Sequence, residues 1–365
     1  INEGVSSEMS KSEYMTISDF SSWGIPGSLE LKPEITAPGG NIYSVNGALT
    51  GGTAYENMSG TSMASPQIAG MSAVVAQYVR ENKLDEKTGL SARTLIQSLL
   101  MSTAAPVKGE FTVYETEDNG ILKLDEDYTL VPSDKKYIGY YPVIQQGAGL
   151  ANVFNAVSAE SYILMDEDAT ASAADGKVKA ELGEDPGRTG EYTFSFSVNN
   201  ITDKELKYDL SADLFTQDYY KFYSTSELFN TEKTAWYMAE NTQVLNASSV
   251  FEVEGKTVTS VTVPAKGSAD VKVTLKLDSK QAKELEEIFS NGFYVEGYVF
   301  AKPADAKEGE MLVEHSIPVL GFYGSWTDPS MYDVGSVIEY RSGLETRNPY
   351  LGGTNSFGVS YADDP

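Results

Sequence analysis

Ser62 stands in the run Asn57-Met-Ser-Gly-Thr-Ser-Met-Ala-Ser-Pro-Gln-Ile-Ala-Gly70, between a Gly-Thr turn and a long apolar segment of mostly small residues. A nucleophilic hydroxyl is mounted this way, at the start of a helix. The composition predicts a helix from about 62 to 83, rich in Ala, Gly and Val. Its free N–H groups and positive dipole end would face whatever Ser62 attacks. A negative oxygen forming there in a transition state would be stabilised by those donors, with the backbone N–H of Ser62 supplying one of them. Pro66 removes one early helical hydrogen bond, which is tolerable near a helix start. A Ser or Thr before an apolar helix also serves as a plain N-cap, the competing reading of any shorter pattern.

A serine hydroxyl is a poor nucleophile until a base takes its proton and a third group orients that base. No histidine precedes Ser62, and the chain holds one in all, His315. His315 lies in the strand-like run Met311-Leu-Val-Glu-His-Ser-Ile-Pro-Val-Leu320 and is expected at a surface or edge strand, not beside Ser62. Without a histidine to orient, Asp19, Glu34 and Asp85 have no place in a triad. Ser133-Asp-Lys-Lys136 has Ser-x-x-Lys spacing but sits in a polar, turn-rich stretch with no apolar helix behind it.

Several elements must position the serine. Residues 1–60 alternate short apolar runs with Gly, Pro and Ser clusters, as strands and loops beside a cleft do. Leu90-Ser-Ala-Arg-Thr-Leu-Ile-Gln-Ser-Leu-Leu100 predicts a second helix with Ser91 as N-cap and Leu95, Ile96, Leu99 and Leu100 as its buried stripe. A third, shorter helix follows Gly149, with Leu150, Val153, Phe154 and Val157 along one face. Between them, 107–142 forms an acidic insertion. Within it, Glu115, Glu117, Asn119-Gly120 and Glu126 imitate the spacing of an EF-hand calcium loop. The first position is Glu instead of Asp and the flanks are not helical. The preferred reading is therefore a hairpin of 111–114 with 121–124, turned at Asn119-Gly120.

Period-two patterns dominate 161–324. Tyr192, Phe194, Phe196 and Val198 alternate with polar residues, as do Val271, Val273, Leu275 and Leu277. Each predicts a strand with one buried and one wet face, as in an antiparallel sandwich. Further strands are expected near 205–214, 257–264, 293–302 and 311–321, with one helix at about 279–290. From about Trp326 the chain turns Gly/Asn/Tyr-rich, and 325–365 reads equally as an extension packed on the sandwich or the opening of another β domain.

The balance of 53 acids against 27 bases gives a net charge of −26, which repels phosphate backbones and excludes nucleic acid as a partner class. Such a surface favours basic peptides and divalent cations through long-range attraction. Zero cysteines exclude a disulfide framework and thiolate metal sites. No apolar run reaches the length of a membrane span. The sequons at Asn57, Asn200 and Asn246 are read as chance.

These motifs carry a resemblance. Gly60-Thr61-Ser62-Met63-Ala64-Ser65-Pro66 resembles the nucleophile motif of the subtilisin-like serine proteases without a mismatch. Phe20-Ser-Ser-Trp-Gly24, Lys32-Pro-Glu-Ile-Thr-Ala-Pro-Gly39 and Gln67 are similar to the large cell-envelope branch, which includes streptococcal C5a peptidases and lactocepins. Gln146-Gly-Ala-Gly-Leu150 looks like the end of its catalytic domain, and 161–324 is similar to the fibronectin-III-like domain that follows.

The resemblance implies an α/β subtilisin-like catalytic domain, its C-terminal portion in residues 1–160 with the 107–142 insertion. An all-β fibronectin-III-like sandwich would occupy 161–324. It implies Ser62 as catalytic nucleophile with Gly60 and Thr61 shaping the substrate and oxyanion surroundings, helped by the segments 20–24 and 36–39. It implies a protein or peptide substrate and secretion or cell-wall attachment in a Gram-positive bacterium. In that family the Asp and His motifs and the oxyanion asparagine precede the serine, so they are expected on an N-terminal part of the catalytic domain outside this chain. Three accounts stay open: a cleaved or truncated product, an incomplete gene, or a relative that has lost catalysis. Residues 1–19 look like the return from a protease-associated domain, which favours the first. This chain alone is then expected to be inactive. No cofactor is required; calcium is left open. The alternative function is a non-catalytic surface adhesion or scaffold protein with a partial protease domain.

Overall fold

Two stretches of alternating apolar residues pair with each other at the centre of the larger body. The computed structural model describes residues 16–24, 29–46, 55–118, 120–126, 129–166, 174–226, 231–304 and 312–326. Strand β7 (Glu191–Asn200) runs antiparallel to β13 (Ser268–Leu277), with Phe196 opposite Val271 and Tyr192 opposite Leu275. Val271, Val273, Leu275 and Leu277 are all buried while Lys272 and Lys276 reach solvent, as the period-two pattern requires.

A five-stranded sheet in the order β11-β10-β13-β7-β5 is completed by β5 (Ser161–Met165), β10 (Ala247–Val253) and β11 (Lys256–Val258). The facing sheet has the order β12-β8-β14-β15-β6. Its members are β6 (Ala180–Asp185), β8 (Leu206–Ser226), β12 (Ser260–Val263), β14 (Phe293–Pro303) and β15 (His315–Tyr323). Strand β9 (Thr231–Val244) folds back on β8. The two inner faces share one apolar core containing Val198, Val263, Val273, Val295 and Val319.

Three helices of the N-terminal part pack against this sandwich. They are α1 (Thr61–Glu81), α3 (Ala92–Ser102) and α5 (Val153–Ser158), with α2 (Leu84–Thr88) linking the first two. Val75 and Val79 of α1 meet Leu95 and Leu99 of α3 in a cluster that also takes in Tyr162 and Leu164 of β5. Each such side chain, fully withdrawn from water, contributes roughly 1.5–3 kcal/mol of transfer free energy. Strand β5 is buried at all five positions because helices cover one of its faces and the sandwich core the other.

Several expectations are met. Ser91 caps α3, accepting from the N–H of Thr94 at 3.1 Å, and Leu95, Leu99 and Leu100 are buried as the stripe predicts. Helix α6 (Ser279–Ile288) starts behind Asp278, whose carboxylate accepts from Lys280 and Gln281. Other expectations are corrected. Leu150 precedes α5 and bridges Thr36 and Ala105, and Phe154 is 54% exposed.

In the acidic insertion the partner of β3 (Lys108–Tyr114) is β4 (Pro132–Tyr140), not 121–124. The nine-residue β4 offers a longer ladder than the four-residue candidate. The 121–123 segment does fold back across the Gly120 turn, but onto 115–117: Leu122 bridges Thr116 and the N–H of Lys123 bonds the carbonyl of Glu115 at 3.0 Å, while the N–H of Leu122 bonds the carbonyl of Lys221 at 2.9 Å. Gly120 still turns the chain, with φ +80° and its N–H bonded to the carbonyl of Glu117. Asn119 falls outside the described residues, as do 1–15 and 327–365, on which the further-domain and return-segment readings rest.

His315 departs most from expectation. It opens β15, opposite Ala301 of β14, and is 1% exposed. Its ring is paired on both nitrogens, Nε2 with Ser161 Oγ at 2.7 Å and Nδ1 with Ser102 Oγ at 3.1 Å. Two serines from different elements make an interior imidazole tolerable where an unpaired one would be costly.

Candidate active site

Helix α1 begins directly behind a glycine. Gly60 precedes it with φ +152°, a conformation L side chains rarely adopt, and no side chain caps the first turn. Thr61 and Ser62 are then its first two residues, both exposed. The first-turn N–H groups lack intrahelical partners, so a donor-rich, dipole-positive end surrounds the Ser62 hydroxyl. Pro66 has no N–H to give to the carbonyl of Ser62 four residues back, so that carbonyl too is freed from the helix ladder.

The run 38–41 holds this turn. The N–H of Gly60 bonds the carbonyl of Gly39 at 2.8 Å, the N–H of Asn41 bonds Ser59 Oγ at 2.8 Å, and Gln67 Nε2 bonds the carbonyl of Pro38 at 2.7 Å. Gly39 is required for closeness: a Cβ there would lie 2.8 Å from the carbonyl oxygen of Gly60 and 3.3 Å from Cβ of Ala64. Upstream, Thr36 is stitched to 146–151 by three bonds, from its N–H to Gly149, from its hydroxyl to Gln146, and from Ala151 to its own carbonyl.

An ion network fixes the same run to the sandwich. Lys179, its side chain 9% exposed, meets Glu181 at 2.7 Å and Glu30 at 3.4 Å, while Glu34 meets Lys32 at 2.8 Å and Lys177 at 2.9 Å. Burial alone would raise the Glu34 carboxyl; Lys32 and Lys177 more than offset it and hold it below the usual range.

The structure thus brings 36–39 to the Ser62 turn. The 20–24 segment is bonded elsewhere, with Gly24 N–H to the carbonyl of Ile144 at 2.9 Å and Ser21 Oγ to that of Gln145 at 3.1 Å. It reaches α4 (Val143–Gln146), one turn at the junction with the sandwich. His315 is excluded as a base by its burial and by Ser102 and Ser161 on its two nitrogens. Among the described residues no group of three or more His, Asp or Glu side chains is placed to hold a metal ion.

Sequence reasoning missed Gln146, fully buried and satisfied on both ends of its amide. Its Oε1 accepts from Val107 N–H at 2.7 Å and its Nε2 donates to the carbonyl of Tyr141 at 2.7 Å, fixing the segment whose own carbonyl accepts from the Thr36 hydroxyl. Its place directly before Gly-Ala-Gly was the available signal.

Around the site lies uncovered apolar surface. Ala69, Gly70, Ala73 and Val74 of α1 are exposed, and a Cβ at Gly70 would meet nothing within 4 Å. Strands β1 (Ile42–Val45) and β2 (Tyr55–Met58) form a two-stranded ribbon on which Tyr43 and Tyr55 stack at 5.4 Å, exposed by 67% and 58%.

Comparison with known proteins agrees with these features. Residues 7–130, which include Ser62, match the Subtilase family, and 181–320 match an Fn3-like domain. The chain is 28% identical over 333 residues to the PI-type proteinase of Lactococcus lactis subsp. cremoris, covering 89% of this chain and 14% of that protein. The PII-type proteinase of Lacticaseibacillus paracasei matches with the same identity and coverage. The C5a peptidase of Streptococcus pyogenes serotype M1 is 28% identical over 314 residues, 85% of this chain and 21% of its own length. The chain therefore spans about a seventh to a fifth of the length of these relatives. The chain thus joins a stretch similar to the Subtilase family to a following stretch similar to an Fn3-like domain, and over most of its length it resembles these cell-envelope proteinases and peptidases.

Proposed function

We propose that this chain carries the nucleophile-bearing portion of a secreted or cell-wall-attached serine endopeptidase that hydrolyses peptide bonds of protein substrates through an acyl-enzyme on Ser62. The observation that carries the reading is an exposed serine at the second position of a 21-residue helix, behind a glycine turn pinned by Gly39. In this mechanism Ser62 Oγ attacks the scissile carbonyl while its proton passes to a base. The oxyanion accepts from the backbone N–H of Ser62, and the amine leaves with the proton returned by that base. Gly60 and Thr61 shape the wall beside the attacked carbonyl.

The base, its orienting carboxylate and a side-chain oxyanion donor come, in this reading, from polypeptide outside the 365 residues. The exposed faces of α1 and of the β1–β2 ribbon support this, since surfaces of that kind are normally covered. The acidic surface suits basic protein substrates.

Labelling by a fluorophosphonate tests the proposal. The polypeptide that includes the upstream region should be modified at Ser62, its Ser62→Ala form should not, and this chain alone should stay unmodified. Labelling of the isolated chain would overturn the account of an externally supplied base. Failure of the longer polypeptide to label would favour a non-catalytic adhesion or scaffold role.

A further inference from the structure

Far along the chain from Ser62, the acidic insertion and the β8–β9 arm enclose two adjoining cavities that share Tyr137, Thr242 and Val244 as common walls. They are separated where Thr242 Oγ1 donates to the carbonyl of Tyr140 at 2.6 Å. The first, of about 440 Å³, contains Tyr140 and Asp213, joined by a hydrogen bond from the tyrosine hydroxyl at 2.9 Å. There the chain's own Lys108 places its ammonium 4.3 Å from the centre of the Tyr140 ring. A tyrosine face beside an aspartate is already used here to hold a cation.

The second cavity, of about 340 Å³, repeats that chemistry with more aromatic surface. Tyr114, Tyr137 and Tyr220 line it with Leu122, and Asp218 lies at its wall. The rings of Tyr114 and Tyr220 meet almost at right angles, 81°, with centres 5.9 Å apart, so they wall two sides. Asp218 accepts from Asn241 Nδ2 at 2.9 Å, which fixes its carboxylate, and its charge adds to burial in raising the Tyr137 hydroxyl above its ordinary value. Thr112, on the cavity wall, accepts from Lys136 Nζ at 3.2 Å.

We propose that this second cavity binds the guanidinium of an arginine side chain presented by an extended basic segment of a partner protein. The planar cation stacks on the tyrosine faces and pairs with Asp218. Arginine suits the site better than lysine because its guanidinium is flat, weakly hydrated and able to bond a carboxylate while stacked. A polypeptide, not a small free cation, is the proposed occupant because the neighbouring cavity, whose tyrosine already holds Lys108, continues the same wall through Tyr137, Thr242 and Val244 and leaves room for residues flanking the arginine. The net charge of −26 attracts such a segment from a distance. This inference needs no chemistry at Ser62, so it survives or fails separately from the protease reading.

The test is a titration of the 365-residue chain, followed through its labelled tyrosine ring resonances, with the peptide Ser-Gly-Arg-Gly-Ser, its norleucine counterpart, and tetramethylammonium. The arginine peptide should shift Tyr114, Tyr137 and Tyr220 and bind about tenfold more tightly than the norleucine peptide. Asp218→Asn, which removes the charge and keeps one of the two oxygens that accept from Asn241 Nδ2 and the Tyr219 N–H, should remove most of that preference. Tyr220→Leu should weaken the arginine peptide and leave the norleucine peptide unaffected or tighter. Glu254→Gln, the same loss of charge on the exposed β10–β11 turn, should change little. Equal binding of the two peptides, or equal effects of Asp218→Asn and Glu254→Gln, would overturn the site. Tetramethylammonium binding as tightly as the arginine peptide would overturn the polypeptide assignment.

Discussion

Glu296, on a central strand of the sandwich, accepts the backbone N–H of Ile144 at 3.0 Å through Oε2 and so caps the single turn α4 across the junction between the two parts of the chain. It is fully withdrawn from water, and Oε1 has no hydrogen-bond partner. Tyr298, two residues on along the same face, donates its hydroxyl to the carbonyl of Gly147 at 2.8 Å. His315 on the adjacent strand joins Ser102 of α3 to Ser161 of β5. Buried polar bonds, and not only apolar packing, therefore fix the register of the sandwich against the Ser62 portion.

Burial pushes the Glu296 carboxyl up to about 7, against the smaller opposing effect of the Ile144 and Val143 N–H groups, and pushes the His315 imidazole down to about 4. The folded state therefore binds an extra proton at Glu296 between its ordinary 4.5 and 7, so stability falls as pH rises through that window. The unfolded state binds the extra proton at His315 between 4 and 6.5, so there stability rises with pH. The two trends nearly cancel. Glu296→Gln should unmask the histidine, giving a chain that gains about 3 kcal/mol between pH 4 and 6.5, and His315→Asn should unmask the opposite slope. Urea melts across pH 4–8 check both.

Tyr298→Phe should cost about 1–3 kcal/mol, because the carbonyl of Gly147 would be left buried without its donor while the ring packing is kept. The loss should appear as a lower urea midpoint with unchanged slope.

Gly39→Ala should disturb the Ser62 turn more than overall stability. The new methyl would press on the Gly60 carbonyl and on Ala64, so the first turn of α1 must shift. Amide exchange at 61–64 should rise by about tenfold, with α3 protection unchanged.

Gly70→Ala should stabilise this chain by up to about 1 kcal/mol, since a mid-helix glycine is replaced and the added Cβ meets nothing. If further polypeptide packs on that face, as proposed, the same change should weaken its association. Thermal melts of the chain alone and with the upstream region compare the two.

Much of the chain was legible because local chemistry and tertiary demand agree. The Ser62 helix, the Ser91 cap and the alternation in β7 and β13 are short-range signals: a turn residue, an N-cap oxygen, a period of two. Strands β5, β6, β9 and β10 were not singled out. The five buried residues of β5 show no alternation because both of its faces are covered. In the insertion the turn at Gly120 was legible but its partner was displaced to 115–117, and β4 was missed because 133–136 is polar and reads as a turn.

The sequence by itself determined the glycine turn before the Ser62 helix, the resemblance to the subtilases and the order of helices then strands, since these rest on contiguous residues and their periodicity. Only the tertiary structure decided that the lone histidine is interior, that Glu296 and Tyr298 bind the two parts together, and that Tyr114, Tyr137 and Tyr220 meet around Asp218. Those groups come from segments far apart in the chain: 102, 161 and 315; 144 and 296; 114, 137 and 218. Nothing local in a chain encodes which distant polar atoms will be left to satisfy one another once the apolar surfaces have closed.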